Sequence, residues 1–186
     1  MTAPAARDRS PRIAPGGLRQ VGPFTWLLAR ISGRIAGTGP LALFLTLGRH
    51  RRLFHAWLWF AGRLMPGGRL PRRESELVIL RVAHLRGCRY EWEHHVRLGH
   101  RAGLGPADID RVTQGPGAEG WTPRERALLT AADRLHHHRD LDDDTWRLLR
   151  EHLTEPECIE LCMLASHYEM LATVIAALRI QPDAPR

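Results

Sequence analysis

The chain has 186 residues, 44% apolar and 25% charged, enough for one domain with a substantial core and too few for two ordinary ones. All 27 residues counted as Lys plus Arg are arginine, which excludes Schiff-base chemistry and any lysine general base. The net charge of +7 is divided, because residues 1–73 hold 13 Arg against Asp8 alone while residues 74–186 hold 14 Arg against 19 acids. No nucleic-acid-binding motif accompanies the basic part, so we expect no nucleic-acid partner and a basic surface facing solvent or the acidic half of a neighbouring subunit.

Residues 1–20, rich in Ala, Pro, Gly and Arg without apolar periodicity, read as a mobile tail, and 21–186 as a single helical domain. Phe24, Trp26, Leu27, Leu28, Ile31 and Ile35 recur at helical spacing and predict a helix ending near Gly37. Leu41 to Met65 predicts a second helical region broken near Gly48. Pro66, Gly67 and Gly68 make a turn, and Pro71 opens a helix running to about Arg86 with Gly87 as its stop. A helix opening on Cys88 and ending at Gly103 follows, then a short one from Ala107 to Val112. After the Gly-rich stretch Gln114 to Trp121, Thr122 and Glu125 form a capping box around Pro123, predicting a helix to about His138. Asp143 to His152 reads as another helix. Thr154 and Glu157 repeat the capping pattern and start the last helix, ending near Leu178.

No segment alternates apolar and polar residues, so the expected class is all-α without a sheet. The longest uncharged run, Ile35 to Gly48, contains Gly37, Gly39 and Pro40 and falls short of the ~18 apolar residues of a membrane span. With no signal-like N-terminus and an odd count of three cysteines, the expected setting is the reducing cytoplasm.

The stretch Glu76 to Gly103 carries the chemistry. Cys88, Glu91 and His95 lie within about 60° of one another around a helix axis, so a thiol, a carboxylate and an imidazole share one face. At a helix N-terminus Cys88 reads either as a thiol activated by unpaired backbone NH groups or as a small buried packing residue. Glu91 and His95, at i and i+4, suit an acid/base pair in which the carboxylate orients the imidazole; the bland alternative is an exposed helical ion pair. Glu76 adds a second carboxylate if the two helices pack antiparallel. Tyr90 and Trp92 flank this group as candidate substrate-binding residues, with His167 and Tyr168 of the last helix completing the pocket; core packing is the competing role for each. His84, His94, His100 and the run His136 to His138 lack any paired metal-ligand motif, and Cys158 with Cys162 suits packing, so no metal is expected.

The spacing of Glu76, Cys88 twelve residues on and His95 seven further resembles the core motif of the carboxymuconolactone decarboxylase and alkylhydroperoxidase D superfamily, Glu-x11-Cys-x2-Cys-x3-His, with Glu91 at the second cysteine. LFHAWLWFAGRLMPGGRLPRRESELVILRVAHL and ALLTAADRLHHHRDLDDDTWRLLREHL also look like stretches of carboxymuconolactone decarboxylase-like proteins, extending the resemblance over roughly residues 40–180. It implies an all-α, alkylhydroperoxidase D-like helical bundle that assembles as a homo-oligomer, a dimer, trimer or hexamer, around a small-molecule site without a cofactor. In alkylhydroperoxidase D-like enzymes the second cysteine attacks the peroxide and the first closes the disulfide. Carried over, Cys88 takes the resolving role and Glu91 stands where the nucleophile belongs, and a carboxylate cannot run a sulfenic acid cycle.

Three readings follow. The first is a carboxymuconolactone decarboxylase-like enzyme doing cofactor-independent acid/base chemistry on a small organic acid or lactone. In it His95 is the main base or acid, Glu91 and Glu76 are its orienters or proton relay, and Cys88 lines the pocket. The second is a thiol peroxidase using Cys88, and the third a non-catalytic helical binding or assembly protein.

Overall fold

The computed structural model describes residues 10–185, and its helix boundaries fall where the local chemistry puts them. The helices are α1 Leu18–Val21, α2 Pro23–Ala36, α3 Ala42–Leu47, α4 Arg51–Leu64, α5 Arg72–Leu85, α6 Arg89–Arg101, α7 Pro106–Gln114, α8 Pro123–His138, α9 Asp143–His152 and α10 Glu155–Leu178. Among the described residues the only extended pairing is an isolated bridge between Thr38 and Pro185. Glu125 accepts from the Thr122 backbone NH and Glu157 from that of Thr154, so both capping boxes close where the sequence wrote them. Gly37, at φ +71, ends α2 in the left-handed conformation that costs other residues most.

α5 is the axis of the bundle. Nine consecutive residues, Ser75 to Ala83, are buried, as in a helix covered on every side. Its Val78, Ile79 and Val82 pack with Leu128 of α8, Leu149 of α9 and Leu161 and Leu164 of α10. Leu77 and Leu80 face a second cluster with Leu104, Val112 and Trp121. Arg81, also buried, closes a fork on Asp133 at 2.6 and 2.9 Å and donates to the Val112 carbonyl, tying α5 to α8 and α7. α10 is long and apolar enough by length and composition to cross a membrane; here Cys158, Leu161 and Leu164 are fully buried within the bundle.

Of the stretch read as a mobile tail, residues 1–9 lie outside the described residues. The remainder is docked rather than free: the Gly16 NH donates to the Leu45 carbonyl at 2.9 Å and the Arg12 NH to that of Leu178 at 3.0 Å. α1 is only one turn long, too short for apolar periodicity to announce it. At the other end, residues 180–185 run back across the bundle, where Gly39 donates to the Ala184 carbonyl.

Candidate active site

Gly87, at φ +58, turns the chain between α5 and α6 so that the two helices run back along each other. This brings Glu76, near the start of α5, against His95, two turns into α6. His95 Nδ1 lies 2.7 Å from Glu76 Oε2, and Arg72, one turn before Glu76, donates from Nη2 to Glu76 Oε1 at 2.7 Å. Glu76 has no solvent exposure, so its charge is met by the arginine and its second oxygen by the imidazole. With Nδ1 committed to a carboxylate, Nε2 is the nitrogen left for chemistry. The Tyr168 ring meets the His95 ring edge-on at 5.0 Å and fixes its plane.

His95 lines a cavity of about 630 Å3 between the N-terminal helices α2 to α4 on one side and α6 and α10 on the other. Its walls are mostly apolar and ring-rich, with Phe24, Phe44, Trp57 and Tyr168 among them. Of the residues singled out in the sequence, Tyr90, Glu91, His95, His167 and Tyr168 line it, while Glu76 stands directly behind His95.

Glu91 does not orient His95; that place belongs to Glu76. Its Oε2 is buried without a hydrogen-bond partner, and burial holds the carboxyl well above its ordinary pKa. His167 is similarly isolated: its Nδ1 has no partner, its ring stacks on Trp57 at 6.0 Å, and burial lowers its pKa to about 4. Buried Tyr168 is pushed up first by desolvation and then by the neighbouring carboxyl groups of Glu91 and Glu76. Tyr90 keeps its phenol: burial and Asp183 both raise its pKa, and its hydroxyl donates to Asp183 at 2.7 Å.

Two residues lie elsewhere. Cys88 does not line the cavity; it packs with Leu43, Leu171 and Ile175. It does stand at the N-terminus of α6, and backbone NH groups lower its pKa, but desolvation outweighs them and the thiol is pushed up to about 11. Trp92, on a neighbouring side of α6, packs against the cluster of Leu77 and Leu80 and beside His84 at 5.9 Å. The helical rotation that aims Glu91 and His95 at the cavity turns Trp92 away from it.

Sequence reasoning did not single out Arg72, although its i, i+4 spacing to Glu76 was a usable signal. Asp183 carried no signal at all. It reaches in from the C-terminal segment, its carboxylate accepting from Tyr90 and from the Ala42 NH at 2.8 Å and lying 2.9 Å from His94 Nε2. Among the described residues no group of three or more His, Cys, Asp or Glu is arranged to hold a metal ion.

Comparison with known proteins adds to this geometry. Residues 51–134 match the model described as the carboxymuconolactone decarboxylase family. No curated protein sequence matches the chain significantly. Among solved structures, an uncharacterised peroxidase-related protein from Silicibacter sp. TM1040 superposes with a TM-score of 0.79 at 16% identity, over 99% of this chain and 96% of that one. A peroxidase-related protein from Ralstonia eutropha JMP134, described as an alkylhydroperoxidase AhpD core, gives 0.77 at 18% identity over 91% and 92%. The debrominase Bmp8 gives 0.76 at 16% over 92% of each chain, and a cysteine-to-alanine variant of it has been solved in complex with 2,3,4-tribromopyrrole. At these identities the likenesses establish the fold.

Proposed function

We propose, for a chain whose residues 51–134 place it in the carboxymuconolactone decarboxylase and alkylhydroperoxidase D-like superfamily, cofactor-independent proton transfer on a small organic acid or lactone, decarboxylation included. One observation carries this reading: a buried Glu76–His95 pair at 2.7 Å and an unpaired, buried Glu91 serve the same cavity. Glu76 holds the proton of His95 on Nδ1 and keeps the Nε2 lone pair available as base. Arg72 balances the Glu76 charge, so that the carboxylate supports an imidazolium as it forms without needing water. Glu91, whose burial favours the protonated form, is the complementary acid: it donates toward a carbonyl or carboxyl oxygen on which negative charge develops. An imidazole and a carboxyl group facing one apolar chamber suit removal of a proton, or loss of carbon dioxide, next to a carbonyl.

A thiol route finds less support here. It would call on Cys88, which is buried away from the cavity with its pKa raised to about 11, whereas a reactive thiol needs an accessible thiolate. The test is solvent exchange: small lactones and β-keto acids are incubated in D2O and deuterium at the α-carbon is followed by NMR. The expected result is enzyme-dependent exchange or decarboxylation lost in His95→Ala and strongly reduced in Glu91→Ala. Undiminished exchange in a folded His95→Ala protein would remove the proposal.

A further inference from the structure

Among the described residues, seven buried side-chain nitrogen or oxygen atoms have no hydrogen-bond partner, and four of them belong to residues lining the one cavity: Arg72 Nη1, Glu91 Oε2, His167 Nδ1 and Trp57 Nε1. Folded proteins pair nearly all such atoms, because an unmet buried donor or acceptor is expensive. Four gathered around one chamber are accounted for by a ligand that supplies the missing partners.

The four atoms are chemically unequal. Among the described residues Arg72 is the one arginine that lines the cavity, and its guanidinium is held in place from behind by the Nη2 bond to Glu76 at 2.7 Å. A planar guanidinium anchored on one nitrogen presents the other in a fixed direction, suited to an anionic oxygen. Trp57 Nε1 is also a donor and asks for an acceptor. Neither Glu91 nor His167 competes for the anion: burial without a partner favours the uncharged carboxyl, and the imidazole, with its pKa lowered to about 4, is neutral. The rest of the wall is apolar and rich in flat side chains, Phe44, Trp57 and Tyr168 among them.

We propose that this cavity binds a flat aromatic or conjugated carboxylate, with its acid group on Arg72 Nη1 and its ring among Phe44, Trp57 and Tyr168, so that Arg72 determines specificity for an acid. The assignment rests on the proton-transfer reading for what happens to the bound acid, but the binding itself requires only the cavity. Arg72 then couples the two, since the group that grips the anion also neutralises the carboxylate behind His95.

The experiment is isothermal titration of the full chain with 2-naphthoate and with methyl 2-naphthoate, in the native protein, Arg72→Gln and His95→Ala. The expected result is a preference of about ten- to a hundredfold for the acid over the ester in the native protein. Arg72→Gln should lower acid affinity to the level of the ester while leaving ester binding in place, which shows that the cavity still forms. His95→Ala should keep the preference while losing any exchange activity, which separates failure of the chemistry from failure of this assignment. Equal native affinities for acid and ester would overturn it, as would a preference that survives in Arg72→Gln. Should that variant lose both ligands, the native comparison alone decides.

Discussion

At Glu91 the carboxyl is 2% exposed and without a partner on Oε2, and its cost can be read as a pH dependence. In the unfolded chain it ionises near its model value of 4.5, whereas in the fold burial keeps it protonated well above that. The unfolded state therefore releases the proton first, and stability is lost as pH rises from about 4.5 toward the folded value. Glu91→Gln removes this: its melting temperature relative to the native protein should climb as pH rises above about 4.5. A flat difference would mean that Glu91 is ionised in the fold. His167 acts with the opposite sign. Its folded pKa of about 4 lies below the model value of 6.5, so its share of stability is intact above 6.5 and is lost as pH falls toward 4. His167→Gln should flatten that acid limb in denaturant titrations. Cys88, at about 11, is only roughly a thousandth thiolate at pH 8. Its alkylation by iodoacetamide, located by mass spectrometry, should be more than a hundredfold slower in the native state than in urea. Rapid native labelling would return the thiol reading to contention. The helical repeat put Cys88, Glu91 and His95 on one face, but it does not say which part of that face meets core and which meets cavity. That is decided by Leu43 and Leu171, which cover Cys88 and come from distant helices.

The helices were the more legible level, because most of their ends are written in local chemistry. The Thr122 and Thr154 boxes, the prolines at the starts of α8 and α10 and the left-handed Gly37 and Gly87 each act within a few residues of their own position. α7 runs from Pro106 to Gln114, longer at both ends than Ala107 to Val112, since Pro106 takes its first position and Asp108 accepts from the Gly105 NH. What spacing could not supply is the C-terminal strap, residues 180–185, whose contacts with α3 and α6 span 89 to 141 residues of sequence. Asp183 joins it to Tyr90 and His94 of α6 and to the Ala42 NH of α3, all around the far wall of the cavity. Asp183→Ala leaves these buried groups without their shared acceptor, a loss of about 3 kcal/mol. In a chain of this length that corresponds to a fall in Tm of roughly 6–12 °C, measurable by calorimetry. Asp183→Asn keeps an acceptor for Ala42 and should lose less. A variant melting within a degree of the native protein would show that the strap is not held there.

Across the whole molecule, the division of charge between the first 73 residues and the rest pointed to a basic surface facing either solvent or the acidic half of a neighbouring subunit. The fold puts a different feature forward. Many of the arginines are consumed internally, Arg81 on Asp133, Arg73 on Glu125 and Asp108, and Arg124 on Glu74 and Glu157. Meanwhile α2 exposes Phe24, Leu27, Ile31 and Ile35 in a row at helical spacing, and α4 adds Leu53 and Trp59. Such a row is what a second copy would cover, in keeping with the homo-oligomer that the family resemblance implies. An apolar contact of this kind predicts sedimentation at a multiple of 21.1 kDa that persists in 1 M NaCl, where association between charged halves would dissolve. Ile31→Glu should shift the protein toward one chain with its helical circular dichroism unchanged, and a variant that sediments like the native protein would place the contact elsewhere. Phe24 and Ile35 belong both to this row and to the cavity wall, so a neighbour seated on α2 would also cover one side of the chamber. Dissociation by Ile31→Glu, a residue outside the cavity lining, should therefore weaken 2-naphthoate binding several-fold. Affinity unchanged in a fully dissociated variant would mean that each chain closes its own site.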